Sequence, residues 1–185
     1  MTTLVILGII AAIALFGILI YNKLVRNRQM VKEGWSGIDV QLKKRSNLIP
    51  NLVAAVKGYM KHERELLEKI TGLRARAASM EDASPAERSA IEQEISRTLG
   101  QINIAVENYP DLKANQNVLD LQRQLAQIEN AIQMARRYYN GAVRENNILV
   151  ESFPSNLIAS TFHFEKAEYF ELENAADRAV PKVEL

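Results

Sequence analysis

The first apolar block is unbroken. Residues 4–20, LVILGIIAAIALFGILI, carry no charge. With Thr2, Thr3 and Tyr21 the stretch reaches about 20 residues, enough for a helix rising 1.5 Å per residue to cross a hydrocarbon core of ~30 Å. A helix is the one way an isolated segment hides its backbone polar groups in lipid. Further on, apolar residues recur at alternating three- and four-residue steps: Val31, Trp35, Ile38, Leu42, then Ile49, Leu52, Val56, Tyr59, then Leu66, Ile70, Leu73. Arg45 and Glu63 stand in this seam as polar interruptions. The spacing is that of a coiled-coil-like helix face. Its phase holds on both sides of Pro50, which predicts Pro50 as a kink inside one long helix, residues 23–79. The competing arrangement is a break, with Ser46 or Asn47 capping a new helix and Pro50 in its first turn.

The next punctuation is Met80-Glu81-Asp82-Ala83-Ser84-Pro85. Ser84, Pro85 and Glu87 match an N-cap, a proline at N1 and a capping-box glutamate at N3. A second helix, residues 85–108, carries Ile91, Ile95, Leu99, Ile102 and Val106 on one face until Tyr109-Pro110-Asp111 stops it. A third, residues 112–150, carries Val118, Leu121, Leu125, Ile128, Ile132, Ala135, Tyr139 and Ala142, and Phe153-Pro154-Ser155 ends it. Short loops between long amphipathic helices imply antiparallel neighbours. A short helix over 154–161 and a fraying polar tail over 173–185 complete the pattern. The expected fold is all-α: an antiparallel up-down bundle, residues 23–172, continuous with an N-terminal transmembrane anchor, residues 1–22.

Composition agrees with long helices, since 8 Gly and 5 Pro in 185 residues leave few places to turn. A formal net charge of +1 gives no electrostatic case for nucleic acid binding. Absent cysteine excludes disulfides, thiol catalysis, Cys-ligated zinc and an N-terminal lipidated Cys. The apolar block is read as retained and not as a cleaved signal. No Lys or Arg precedes it, it exceeds the usual h-region of about 7–15 residues, and no small-x-small cleavage site follows. Lys23, Arg26, Arg28 and Lys32 follow it, so the positive-inside rule predicts the N-terminus outside an inner membrane and the bundle in the cytoplasm. Of these, Lys23, Arg26 and Arg28 are near enough to contact lipid headgroups.

Catalytic patterns fail when tested. His62-Glu63 lacks the second histidine of a zincin helix, because position 66 is Leu, and His163 is the only other histidine. Gly34-Trp35-Ser36-Gly37 is no nucleophile elbow and lies on a helical seam. Glu63/Glu65 and Glu92/Glu94 are spaced two apart and face away from each other on a helix. No metal, cofactor or catalytic residue is expected. Lys43-Lys44-Arg45 and Arg136-Arg137 read as solvated helix charge, Lys43 lying ~30 Å beyond the apolar block along a straight helix, several times a Debye length of ~8 Å. Tyr109, Asn115, Asn130, Tyr138 and Asn140 are expected in structural roles at turns and between helices. Four of the five Phe lie near the end of the chain. Phe153, Phe162, Phe164 and Phe170, with Tyr169, are the candidate interaction residues, either a docking surface or the cover of one end of the bundle.

Several strings resemble the LemA family. They are Trp35-Ser36-Gly37-Ile38-Asp39-Val40-Gln41-Leu42 followed by Leu48-Ile49-Pro50-Asn51-Leu52-Val53, then Tyr109-Pro110-Asp111-Leu112-Lys113-Ala114-Asn115, Ala135-Arg136-Arg137-Tyr138-Tyr139-Asn140 and Phe153-Pro154-Ser155-Asn156. They occur in order over most of the chain. Asn47 stands where that family usually has Asp. The resemblance implies a small bacterial membrane protein with an N-terminal anchor and a helical bundle, and brings no catalytic residue. Some relatives in that family are associated with bacterial membrane compartments, an analogy for membrane organisation.

Three functional expectations follow. The first is a scaffold that self-associates in the membrane plane, a homo-oligomer with lipid and a membrane-associated protein as its other partners. The second is a monomeric adaptor holding one partner through the bundle and the Phe-rich segment. An enzyme ranks last, because no constellation of residues supports one.

Overall fold

The computed structural model describes residues 1–80 and 83–171. Glu81 and Asp82 of the expected turn, and the polar tail expected at 173–185, lie outside the described residues. The described residues form six α-helices and no strand: α1 Thr2–Val56, α2 Arg64–Ala78, α3 Pro85–Val106, α4 Pro110–Lys113, α5 Gln116–Glu151 and α6 Ser155–Thr161. The all-α class read from the periodicity is the class found.

Two of the expected helices need correction, the first being the one over 23–79. Pro50 does lie inside a helix, but that helix does not run to Ala78. It ends at Val56, and α2 starts at Arg64. The Val56 carbonyl accepts from both Tyr59 and Met60 N–H, which closes a turn. The buried positions beside it shift by one residue, while Ile70 and Leu73 keep the expected spacing. Tyr59 is exposed and Leu66 only half-buried, whereas Met60 and Leu67 are buried. Continuing one seam through 57–63 mistook two helices with coincident spacing for one.

Pro50 survives within α1 for a tertiary reason. It has no N–H, so the Ser46 carbonyl four residues earlier loses its helical donor. Arg74 of α2 supplies one, its Nε donating to Ser46 O at 2.8 Å.

α3 begins as read. Glu87 N–H donates to Ser84 Oγ at 3.3 Å, and Ser84 N–H donates to the Glu87 carboxylate at 3.0 Å. These reciprocal bonds satisfy two donors that the first turn would leave orphaned. Where one helix was expected over 112–150, the chain forms α4 and then α5. Asn115 separates them, its Oδ1 accepting from Asn117 and Val118 N–H at 3.0 and 3.4 Å. A side-chain oxygen thus caps α5 where a backbone carbonyl would have continued the turn.

The described residues divide into two compact units: Met1–Asp39 with Gln133–Tyr169, and Val40–Ile132 with Phe170 and Glu171. The second unit has an aliphatic core from the end of α1, α2, α3 and the start of α5, including Ile49, Leu52, Ile70, Ile95, Ile102 and Leu125. Within it α3 and α5 run antiparallel, since Ser96 meets Glu129 and Asn103 meets Gln122. In the first unit α1 and α5 are also antiparallel. Leu24 packs with Leu149 and Val150, and Gly34 lies against Tyr139. A Cβ on Gly34 would meet the Tyr139 Cα at 3.0 Å, so only glycine lets the two backbones come this close.

Candidate functional site: an aromatic collar on α1

Residues 4–19 of α1 are exposed almost throughout, Leu, Ile, Val and Phe side chains included. The helix has the length and composition to cross a bilayer. Where this stretch ends, the C-terminal segment returns to α1. Tyr21 makes edge contacts with the rings of Phe162 and Phe164, at centroid separations of 4.8 and 5.7 Å. Arg28 lies over the Phe164 ring, 4.8 Å from its centroid, in cation–π geometry. Leu24, Ala159 and Phe164 are the buried centre of this collar, with Ile20, Tyr21 and Ile158 packed around them.

The end of α6 explains how Phe164 reaches that position. Phe162 is the C-cap, and His163 takes the left-handed conformation with φ 56°. Phe164 N–H donates to Ala159 O at 2.9 Å and His163 N–H to Ser160 O at 3.4 Å. This is the Schellman arrangement, and the buried Ala159 and Phe164 supply its usual hydrophobic contact. Glycine or asparagine normally marks such a cap, so a histidine carried no signal in the sequence.

Beyond Phe164 the chain is non-helical and strapped to α5. Asn147 forms a two-bond clamp, its amide donating to Ala167 O at 3.0 Å and its Oδ1 accepting from Ala167 N–H at 2.8 Å. Asn146 donates to Glu165 O at 3.2 Å, and the Tyr139 hydroxyl donates to Glu168 O at 2.7 Å. Lys166 pairs with Glu151 at 2.8 Å. Burial, with the Glu168 charge adding, pushes the Tyr139 phenol up to about 12. Its ring also packs against Trp35, centroid to centroid 5.6 Å.

The predicted interaction residues therefore split. Phe164 and Phe170 are buried and not presented to a partner, whereas Phe153, Phe162 and Tyr169 are exposed. The Phe-rich end is cover at two positions and surface at three. Lys23, Arg26 and Arg28 are exposed just beyond the apolar stretch, with Arg28 placed over the Phe164 ring.

The second unit holds a cluster the periodicity had treated as an interruption. Arg45 is 1% exposed. It pairs with Glu92 at 2.5 Å and with Glu129 at 2.6 Å, and donates to Ser96 Oγ at 2.6 Å and to the Glu92 carbonyl at 3.2 Å. Arg88 adds a second cation 3.8 Å from Glu92. Three helices meet on one guanidinium, whose fixed fork suits several acceptors at once. Elsewhere in this unit the Tyr109 hydroxyl donates to Glu63 at 2.6 Å, and that acceptor carboxylate raises the phenol above its ordinary range. A groove beside the 57–63 turn is lined by Val53, Met60 and Leu67, with Lys57, Lys61 and Arg64 at its edge. Among the described residues no three His, Asp or Glu side chains gather as a metal site would need.

The chain is 28% identical over 140 residues to Protein LemA of Metamycoplasma hominis, a match covering 75% of this chain and 63% of that protein. It is 22% identical over 204 aligned residues to Magnetosome protein MamQ 2 of Paramagnetospirillum magneticum, covering 96% of this chain and 75% of that one. Magnetosome protein MamQ of Magnetospirillum gryphiswaldense is 21% identical over 86% of this chain and 68% of its own length. The sequence model of the LemA family matches residues 34–185, most of the bundle and all of the C-terminal strap. The chain belongs to the LemA family.

Proposed function

We propose that this protein is a single-pass membrane scaffold that self-associates in the plane of the bilayer and has no catalytic activity of its own. The observation that carries the proposal is α1. It is one helix from Thr2 to Val56, exposed and apolar over residues 4–19 and packed against α5 from Leu24 on. So much contiguous apolar surface is far beyond what a soluble surface carries, and lipid is the solvent that removes it. Because α1 enters the packed region without a loop, neighbouring copies held parallel by the bilayer present the same faces to one another. On α5, Met134 and Ile148 are exposed apolar side chains with the half-buried Gly141 between them, which suits side-by-side contact. Relatives named as magnetosome proteins support a part in organising a membrane-associated assembly. The cations at Lys23, Arg26 and Arg28 favour an inner-membrane topology with the bundle in the cytoplasm.

Two measurements test this. Particle mass in mild detergent, followed over protein concentration, is expected to show an oligomer; a strict monomer at every concentration removes the scaffold. A single cysteine at the exposed Lys113, probed with a membrane-impermeant maleimide, is expected to label only after cells are broken. Labelling in intact cells places the bundle on the other side. The adaptor reading retains Phe153, Phe162 and Tyr169 as its exposed rings, and co-purification of a partner that is lost on Phe162→Asp would favour it over self-association.

A further inference from the structure

We propose that α6 and the phenylalanines at its two ends form a second membrane contact, lying in the boundary between headgroups and acyl chains beside α1. The inference rests on α1 being the spanning helix, and it adds a lipid-binding surface made by the C-terminal segment.

Position is the first argument. A Cβ on Gly17 would stand 3.8 Å from Ile158 Cδ1, so α6 reaches down to a level inside the apolar run of α1. A shallow apolar groove runs between them, lined by Ala14, Gly17, Ile18, Tyr21, Ile158 and Phe162. Residues 4–20 cover about 26 Å at 1.5 Å per residue, slightly less than a hydrocarbon core of ~30 Å. The whole run is therefore needed within the core, and a bilayer that covers it also reaches the groove and the side of α6 that borders it.

Composition is the second. Although 24% of the chain is charged, residues 152–164 contain no Asp, Glu, Lys or Arg. Charge returns at once on either side, with Glu151 before the segment and Glu165 and Lys166 after it. Within it Phe153 is 80% exposed, Leu157 57% and Phe162 53%. All three are more than half exposed, and Phe162 borders the apolar groove on α1 through its edge contact with Tyr21.

Three hydroxyls of α6 are the third, with Asn156, whose Oδ1 is buried without a partner, as the exception. Thr161 Oγ1 and Ser160 Oγ both donate to Leu157 O, at 2.7 and 3.0 Å, and Ser155 Oγ donates to Ser152 O at 2.9 Å. Hydroxyls satisfied within their own segment can enter a low-dielectric layer without a desolvated, unpaired donor. The Schellman end satisfies two carbonyls of the last turn, those of Ala159 and Ser160, in the same way. Lys23 and Arg26, exposed on the next turns of α1, are placed to meet phosphates above a helix embedded at this depth.

The test uses the cysteine-free full chain. Single cysteines at Leu157, at Phe153, at Leu7 in the apolar run and at the exposed Arg137 on α5 would each carry a nitroxide. The protein would be reconstituted in vesicles of phosphatidylcholine and phosphatidylglycerol, and relaxation by oxygen compared with relaxation by an aqueous nickel chelate. Oxygen is expected to dominate at Leu157 and Phe153, as at Leu7, and nickel at Arg137. Nickel dominating at Leu157 and Phe153 while oxygen dominates at Leu7 overturns the proposal and leaves the anchor standing. Nickel dominating at Leu7 as well removes the anchor, and the proposal with it. Poor access of both reagents to Leu157 and Phe153 shows these residues covered by protein, which also overturns it.

Discussion

The two units of this chain solve the same problem, packing long helices together, by opposite means. In the first, α1 and α5 come together through the absence of a side chain at Gly34 and the Trp35–Tyr139 ring contact, and the returning segment is held by Phe164 against α1 and by neutral amide clamps from Asn146 and Asn147 on α5. In the second, an aliphatic core is crossed by a buried guanidinium that joins three helices. The difference has a physical consequence. A region held by close backbone approach and neutral hydrogen bonds should respond to volume and tolerate changes of charge. A region pinned by a buried ion should tolerate small volume changes and fail when one charge is deleted.

The largest test of that contrast is Arg45→Ala. It leaves the buried Glu92 without its main partner, and losing one member of a buried pair costs about 3–5 kcal/mol. Urea unfolding of the full chain in detergent micelles, followed by helical circular dichroism, measures it. Glu129→Gln should cost no more than about 1 kcal/mol, because its side chain is 31% exposed and can rehydrate. A loss below about 1 kcal/mol for Arg45→Ala would show that the cluster does not pin this unit.

In the first unit the comparable experiment is a titration. The Tyr139 phenol is held neutral by burial and is pushed up to about 12, above the ordinary value of 10.0. A raised acid pKa favours the folded state below the unfolded pKa, and that stability is lost as pH climbs from about 10 to about 12. The loss should be about 2–3 kcal/mol. Tyr139→Phe should remove this alkaline phase while giving up about 1 kcal/mol at neutral pH for the bond to Glu168 O. An alkaline phase that persists unchanged in Tyr139→Phe assigns it elsewhere.

Volume is the next axis. Gly34→Ala forces its Cβ against the Tyr139 backbone and is expected to cost about 1–2 kcal/mol, the overpacking outweighing the gain in helix propensity. Gly37→Ala meets nothing within 4 Å and should gain about 0.5–1 kcal/mol from propensity alone. Equal effects at the two positions would mean that α1 and α5 are not in close contact at Gly34.

The smallest effect concerns Pro50. Arg74→Ala leaves the Ser46 carbonyl without a donor and should cost about 1 kcal/mol. In a Pro50→Ala background the restored N–H fills that carbonyl, so the cost of Arg74→Ala should fall by half or more. A double-mutant cycle on the same unfolding signal reads the coupling, and additive effects would show that Arg74 does not compensate for the proline.

What the sequence determined by itself is what depends on neighbours three or four residues away. The uncharged run before Tyr21, the apolar face of α3 from Ile91 to Val106, the capping box at Ser84 and the short helix after Pro154 are of this kind. Each follows from helical periodicity, from bilayer thickness or from a side chain bonding its own backbone, so the residues that cause the feature lie inside it. The tertiary structure decided the rest, because the partners are remote in the chain. Arg45 reads as a break in a hydrophobic seam until Glu92 and Glu129, 47 and 84 positions away, are brought to its guanidinium. The end of α1 at Val56 is hidden because the spacing of α2 happens to continue that of α1, and only packing selects Met60 and Leu67 over Tyr59 and Leu66. The left-handed His163 and the clamp of Asn147 on Ala167 have no local signature either. Which phenylalanines are cover and which are surface follows from that turn and that strap. A residue's composition is the same in both roles, and only the position of the returning chain separates Phe164 from Phe162.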